Sequence, residues 1–249
     1  MRAPAPRKNS PPCLLRDPSE TARARLFCFP YSGGGASMFS SWPHQVDDVE
    51  ICPVQLPARE NRFREPHFGT YEELAQALVD PLLPYLDRPF AFFGHCAGAL
   101  PAFEVARRLH QEGLPAPRAL IVSAQVAPHD CPFDRYLGLG DDQLIEELAA
   151  LTRSRGGEPH PLVLGMMLDV LRQDLESNRV YRRAEPVILP SRVVVLHWAA
   201  DAEIRPEQMH GWSAYGDQVS YEVLDGGHFA FLDAPDPLLT LVTELLRPE

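Results

Sequence analysis

The stretch Phe90-Ala91-Phe92-Phe93-Gly94-His95-Cys96-Ala97-Gly98-Ala99 joins an apolar run, a Gly-x-Cys-x-Gly motif and the start of a helical pattern. This order predicts a strand, a sharp turn and a helix. Gly94 and Gly98 stand two residues before and after Cys96, where side chains would collide in so tight a turn. We therefore expect the Cys96 thiol at the tip of the turn, where the N-terminus of the helix favours a thiolate.

A buried structural cysteine beside a tight turn is the alternative interpretation of these five central residues. The flanking pattern argues against it, because an apolar strand precedes the motif and an amphipathic helix follows it. Phe103, Ala106 and Leu109 would share one face of that helix. The whole pattern favours a nucleophile on a strand-to-helix turn.

Composition restricts the class of protein. A chain of 249 residues with 45% hydrophobic content suits one α/β domain with an insertion. We expect a cytoplasmic protein without a membrane partner, because neither a spanning segment nor a signal-peptide core is present in the sequence. The 5 cysteines form no Cys-x-x-Cys pair, so no disulfide framework or metal site is predicted. A net charge of -11 argues against nucleic acid as a partner.

Apolar runs and helical periodicities alternate along most of the chain, which predicts a mostly parallel central sheet flanked by helices. The predicted strands are 25–29, 49–54, 90–93, 119–123, 192–197 and 219–224. The first helix, 71–86, has Thr70 as its N-cap, with Glu73 completing a capping box. Residues 1–22 are predicted to be a flexible N-terminal segment. The predicted core comprises 23–131 and 191–249. The insertion 132–190 is predicted to be a helical lid, because it contains helical patterns at 141–151 and 161–181.

A nucleophilic cysteine needs a base to accept its proton and an acid to orient that base. His228 is the candidate base, because it follows a Gly-Gly loop after the last strand. Asp201, in the loop after the preceding strand, is the candidate acid, and Glu203 is the second candidate. Asp225 is interpreted as a turn residue, and His95 as a structural one.

The loop after the first strand carries three consecutive glycines, Gly33-Gly34-Gly35. A flexible turn is one interpretation, and an oxyanion loop, whose backbone approaches the reacting carbonyl, is the other. A glycine-rich loop after the first strand followed by a nucleophile turn is the order used by α/β-hydrolases, which favours the oxyanion loop. Phosphate binding is less favoured, because no Gly-Lys-Ser/Thr closes the loop.

The chain resembles the stand-alone type II thioesterases of polyketide and nonribosomal peptide assembly lines, in the α/β-hydrolase superfamily. The motifs that carry this resemblance are 26–34, 54–62, 92–95 with 97–99, 127–129 and 226–229. It implies an α/β-hydrolase fold and a triad of Cys96, Asp201 and His228. It also implies an oxyanion hole formed by backbone N–H groups of Tyr31, Ser32 and Ala97.

The same resemblance implies an enzyme that needs no cofactor and acts on acyl or peptidyl carrier proteins, whose phosphopantetheine arm delivers the acyl thioester. We expect a monomer. Because carrier proteins are acidic, as this chain is, docking would need a local basic surface. The candidates follow the second strand or leave the lid: Arg59, Arg62, Arg64, Arg179, Arg182 and Arg183.

Cys96 replaces the serine that is usual in this family, and this departure leaves the reaction open. An acyl-Ser ester is lower in energy than a thioester, whereas an acyl-Cys is itself a thioester and keeps its group-transfer potential. Hydrolysis is our first prediction, on the strength of the other motifs. Transfer of an acyl or aminoacyl group between carriers is the alternative, and a non-catalytic carrier-binding module is the third interpretation.

Overall fold

The computed structural model describes residues 13–247 and shows one central sheet. The strands are β1 (Ala24–Phe29), β2 (Gln45–Val46), β3 (Val49–Pro53), β4 (Phe90–His95), β5 (Ala119–Ser123), β6 (Arg192–Trp198) and β7 (Val219–Leu224). Their order across the sheet is β2-β3-β1-β4-β5-β6-β7. All neighbouring strands are parallel except β2 and β3. The predicted α/β-hydrolase architecture, a mostly parallel sheet flanked by helices, is confirmed.

The α-helices are α1 (Tyr71–Leu82), α2 (Ala99–Gln111), α3 (Asp141–Ser154), α4 (Pro161–Val180) and α5 (Asp236–Leu246). The predicted capping box at the start of α1 is confirmed, because the Glu73 N–H donates to the Thr70 hydroxyl and the Thr70 N–H donates to the Glu73 carboxylate. The α-helix ends at Leu82, earlier than predicted, and continues as a short 3-10 turn. Pro84 lies in that turn, and its missing N–H cannot continue the α-helical ladder.

The central strands β1, β4 and β5 are buried along their whole length. Continuous burial is typical of parallel strands that are covered by helices on both faces. The carboxyl ends of these strands lie at one edge of the sheet, which is where open α/β sheets carry their sites. The loops that follow β1, β4 and β6 therefore meet at this edge.

Residues 13–22 form the described part of the segment predicted to be flexible, and they pack against the sheet. Leu14 forms an antiparallel bridge with Val54, and the Gln55 N–H donates to the Cys13 carbonyl at 2.8 Å. Flexibility of this segment stays a prediction. The two-residue β2 leaves the end of β3 unpaired, and Cys13 and Leu14 bury their side chains there. Residues 1–12 of the predicted segment lie outside the described residues.

The insertion 132–190 contains α3 and α4, which share an apolar cluster of Leu144, Leu148, Ala149, Leu164, Leu168, Leu171 and Leu175. Its exit is anchored to α2, because the Tyr181 hydroxyl and the Arg183 Nε both donate to the buried Glu104 carboxylate at 2.7 Å. Its function as a lid stays a prediction. Within residues 13–247 no helix combines the length and the apolar character needed to span a membrane.

Candidate active site

Cys96 lies at the carboxyl end of β4 with a φ of 49°, in the left-handed region that non-glycine residues rarely occupy. A Cβ atom on Gly94 would lie 2.3 Å from the Gly98 carbonyl oxygen, and one on Gly98 would lie 2.6 Å from the Phe29 carbonyl oxygen. The predicted steric need for both glycines is thus confirmed. The strained turn has the geometry typical of a nucleophile held between a strand and a helix.

The environment of the Cys96 thiol is acidic. Burial raises the pKa of the thiol well above its usual value, and the nearby carboxylates of Asp134, Glu203 and Asp201 also raise it. A hydrogen bond from the Ala97 N–H lowers the pKa but does not offset these effects. The expected stabilisation of a thiolate by the helix N-terminus is therefore wrong in its net direction. The resting side chain is a thiol, and it needs a base to become a nucleophile.

His228 and Asp201 are in direct contact, with 2.8 Å between Nδ1 and Oδ2. The Asp201 side chain is buried, and its other carboxylate oxygen accepts the Glu203 N–H at 2.8 Å. Burial by itself would raise the pKa of Asp201, but the hydrogen bond and charge of His228 bring it below the usual value. An ionised carboxylate on Nδ1 orients the imidazole so that Nε2 is the nitrogen that would exchange a proton.

Glu203 contacts the opposite ring nitrogen, because its Oε2 lies 3.2 Å from the His228 Nε2. Its Oε1 lies 3.0 Å from the Arg135 Nε. Burial raises the pKa of Glu203, although the charges of His228 and Arg135 lower it. Glu203 therefore contacts the ring nitrogen that a triad uses for proton transfer, where an orienting acid would not stand. Asp225 makes no hydrogen bond to His228 in the part of the chain that the structure describes.

His95 packs against the candidate base, with 4.5 Å between the centroids of its ring and that of His228. Its Nδ1 lies 2.9 Å from the Ser123 hydroxyl, and its ring stacks on Phe231. Burial holds the pKa of His95 well below the usual value, and His228 lowers it further. His95 is thus a neutral side chain that supports one side of the His228 ring.

The loop after β1 lies beside the nucleophile turn, because Phe29 of β1 pairs with Gly94 of β4 in the sheet register. A narrow cavity of about 10 Å³, enough for about one water molecule, separates the two loops. It is lined by Pro30, Tyr31, Ser32, Leu56, Phe68, Tyr71, Ala97, Pro101 and Asp174. The candidate oxyanion residues Tyr31, Ser32 and Ala97 thus share one cavity wall.

Two polar groups near this cavity were not predicted from the sequence. The Tyr71 hydroxyl is buried and has no hydrogen-bond partner within residues 13–247. Asp134 is also buried, and its Oδ2 accepts the Ser32 hydroxyl at 3.2 Å. No motif marks either residue, because Tyr71 reads as the first apolar residue of a helix and Asp134 as a loop residue. Their contacts with the site arise only from the fold.

Arg59, a candidate for the basic docking surface, is buried and points inward. Its NH1 and NH2 donate to the two carboxylate oxygens of Asp174, each at 2.8 Å. Arg62 donates to Glu65 and to the Gln55 carbonyl, so most of its charge is used within its own loop. The docking prediction is wrong for Arg59, while Arg64 and Arg182 are exposed.

Within the described residues no cluster of His, Cys, Asp and Glu could hold a metal ion.

Comparison with known proteins decides the family. The profile of the thioesterase domain family matches residues 24–246. The chain belongs to the thioesterase domain family. It is therefore an α/β-hydrolase-fold enzyme of the thioester hydrolase class, and the residues collected around Cys96 lie in its thioesterase domain.

Three similar proteins illustrate the likeness of this thioesterase domain to known proteins. Linear gramicidin dehydrogenase LgrE of Brevibacillus parabrevis is 33% identical, over 96% of this chain and 94% of its own. The solved structure of RedJ, a thioesterase from the prodiginine pathway of Streptomyces coelicolor, is 34% identical with a TM-score of 0.80, covering 96% of this chain and 97% of RedJ. BorB, a type II thioesterase of the borrelidin cluster, is 30% identical with a TM-score of 0.78, covering 93% of this chain and 96% of BorB.

Proposed function

We propose that this enzyme hydrolyses acyl or aminoacyl thioesters of carrier proteins in nonribosomal peptide or polyketide biosynthesis, through an acyl-Cys96 intermediate. The observation that carries the proposal is the Asp201–His228 contact of 2.8 Å at the same sheet edge as Cys96. Membership of the thioesterase domain family supports the reaction class. The names of RedJ and BorB support the type of pathway.

In the acylation step, the Cys96 Sγ attacks the thioester carbonyl carbon while its proton moves to the His228 Nε2. Because burial favours the thiol form of Cys96, this proton transfer has to accompany the attack. The carbonyl oxygen becomes an oxyanion, for which the backbone N–H groups of Ala97 and the Tyr31–Ser32 segment are the proposed donors. Collapse releases the phosphopantetheine thiol, which takes the proton from Nε2.

In the deacylation step, water attacks the acyl-Cys96 carbonyl and gives a proton to the His228 Nε2. The second tetrahedral intermediate expels the Cys96 thiolate, which recovers that proton, and the free acid leaves. In both steps the Asp201 carboxylate stabilises the imidazolium that forms. Glu203 has to release Nε2 before either step, and Arg135 can retain its carboxylate when it does.

Transfer to a second carrier is the other candidate function, and the observation that favours it is Cys96 itself. Attack by a second phosphopantetheine thiol on acyl-Cys96 exchanges one thioester for another, so the step is nearly neutral in free energy. A serine ester would lose that group-transfer potential. The two functions share acylation and differ only in the nucleophile that ends the cycle.

The deciding experiment loads the enzyme from one acylated carrier, removes that donor, and follows acid release and acceptor acylation side by side. Hydrolysis predicts acid release at a rate that an acceptor carrier does not change. Acceptor acylation far faster than acid release would replace hydrolysis with transfer. If the wild-type enzyme gains no more acyl mass than Cys96→Ala does, the result would instead favour a non-catalytic carrier-binding module.

A further inference from the structure

A buried ion pair joins the insertion 132–190 to the core beside the candidate site. Asp174 lies on α4, and Arg59 lies in the loop after β3; their side chains are 5% and 4% exposed. The His67 Nε2 lies 2.8 Å from the Asp174 Oδ1. Burial by itself would raise the pKa of Asp174, but Arg59 and the hydrogen bonds from its neighbours bring it below the usual value. A buried pair of this kind is weak evidence for stability, so its placement calls for another explanation.

The ion pair holds the backbone of the loop after β1. The Gly33 N–H donates to the Asp174 Oδ2 at 2.7 Å, and the Arg59 NH1 donates to the Gly34 carbonyl at 2.9 Å. Leu171, one turn before Asp174 on α4, also contacts this loop, since a Cβ atom on Gly33 would lie 3.2 Å from the Leu171 Cβ. Both polar groups of the ion pair and an apolar side chain therefore contact the same two glycines.

These glycines end a β-turn that begins with the candidate oxyanion residues Tyr31 and Ser32. The Gly34 N–H donates to the Tyr31 carbonyl at 2.9 Å, and Gly33 has a φ of 78°, as the third residue of a type II turn requires. Type I and type II turns differ in the orientation of the central peptide, whose N–H here belongs to Gly33. The hydrogen bond to Asp174 therefore fixes that orientation.

The loop that carries Arg59 is itself strained. Ala58 and Glu60, on either side of Arg59, have positive φ values of 65° and 50°. Non-glycine residues keep such conformations only where the surrounding structure imposes them, often at functional sites. Between these two residues, the Arg59 side chain points inward and donates to Asp174 and to the Gly34 carbonyl.

We propose that Asp174 is a positioning residue, which keeps the Tyr31–Gly34 turn in the orientation that presents its backbone N–H groups to the oxyanion. The proposal rests on the function proposed above and adds a form of regulation to it. Because Asp174 belongs to α4, the oxyanion hole is complete only while α4 is seated on the core. Displacement of α4 opens the cavity and removes the oxyanion hole in one event.

The test compares two reactions of Cys96 in Asp174→Asn. Acylation by a small thioester develops an oxyanion, whereas alkylation by iodoacetamide does not. We expect kcat for the thioester to fall by roughly 100-fold, the effect of losing one oxyanion donor, with a nearly unchanged KM. The alkylation rate should stay within about twofold of wild type, because the nucleophile and its base are untouched. Asp169→Asn, an exposed site on the same helix, is the matched control and should change neither rate.

An equal loss in both reactions, or no loss in acylation, would overturn the proposal. If Asp174→Asn does not fold, His67→Leu makes the same comparison, since it removes one contact of Asp174 and keeps the ion pair. It should lower acylation several-fold and leave alkylation unchanged. If the wild-type enzyme is not acylated at all, the proposed function fails, and amide hydrogen exchange then tests the positioning role of Asp174 separately. The positioning proposal is overturned if the Gly33 N–H exchanges no faster in Asp174→Asn, or in His67→Leu, than in wild type.

Discussion

The Nε2 of His228 lies 3.2 Å from the Oε2 of Glu203, on the ring nitrogen opposite the one that contacts Asp201. In Ser-His-Asp and related triads this nitrogen accepts the proton of the nucleophile. In the proposed mechanism, Glu203 therefore competes with Cys96 for the base, while Asp201 orients the base. Asp201 and Glu203 are two positions apart in sequence, and neutralising each carboxylate is expected to have the opposite effect on kcat.

We expect Glu203→Gln to leave kcat for a small thioester unchanged or up to a few-fold higher, because it weakens a competitor for Nε2. Asp201→Asn should lower kcat by roughly 100-fold or more, because the imidazole loses the carboxylate that sets its tautomer. Steady-state kinetics with a chromogenic thioester would measure both. A larger loss in Glu203→Gln than in Asp201→Asn would exchange the roles of the two residues.

The acidic surroundings of Cys96 predict the pH dependence of its alkylation. Its pKa is raised by burial and by Asp134 and Glu203, so the thiolate fraction at neutral pH is small. Below the pKa this fraction grows about tenfold for each pH unit, and the rate of iodoacetamide labelling should rise in proportion between pH 6 and 8. Mass spectrometry of the labelled protein, with Cys96→Ala as the background, would follow it. A plateau below pH 8 would contradict the raised pKa.

Glycine at position 98 is expected to be obligatory. A Cβ atom there would lie 2.6 Å from the Phe29 carbonyl oxygen and 2.7 Å from the Pro30 carbonyl oxygen, and backbone atoms cannot move aside easily. Gly98→Ala should lower the free energy of unfolding by about 1–3 kcal/mol and displace the turn that carries Cys96. Gly165→Ala is the matched control, because its Cβ would meet no atom within 4 Å inside α4. That variant should be more stable by about 0.5–1 kcal/mol, as measured by urea unfolding.

Asp174 should also contribute a pH-dependent part of stability. Its pKa in the folded protein lies below the usual value. Its contribution is therefore complete above the unfolded pKa of about 4 and is lost as the pH falls through the folded pKa. At pH 7 we expect Asp174→Asn to be about 3 kcal/mol less stable than wild type. This difference should shrink as the pH is lowered below about 5, mainly below the unfolded pKa of about 4, whereas a difference independent of pH would contradict the ionised state of Asp174.

Short-range patterns were enough to predict most of the fold. The apolar runs and helical periodicities located the strands and most helices, because they report burial on one or two faces of a local element. The capping box at Thr70 and Glu73 and the two glycines of the nucleophile turn, Gly94 and Gly98, were also predictable, since their constraints act over three or four residues. The N-terminal residues 13–22 were not, because their apolar side chains became buried only against the end of a distant strand.

The sequence by itself determined the nucleophile turn, the candidate base and the α/β class, because steric exclusion at Gly94 and Gly98 and the order of the motifs need no distant contact. Only the tertiary structure decided which carboxylate faces Nδ1 of His228, since Asp201 and Glu203 share a loop and differ in direction alone. It also decided that Arg59 is an internal residue, because its partner Asp174 is 115 positions away. The net pKa shift of Cys96 likewise depends on burial and on carboxylates gathered from separate loops, and such summed long-range effects leave no local pattern in a sequence.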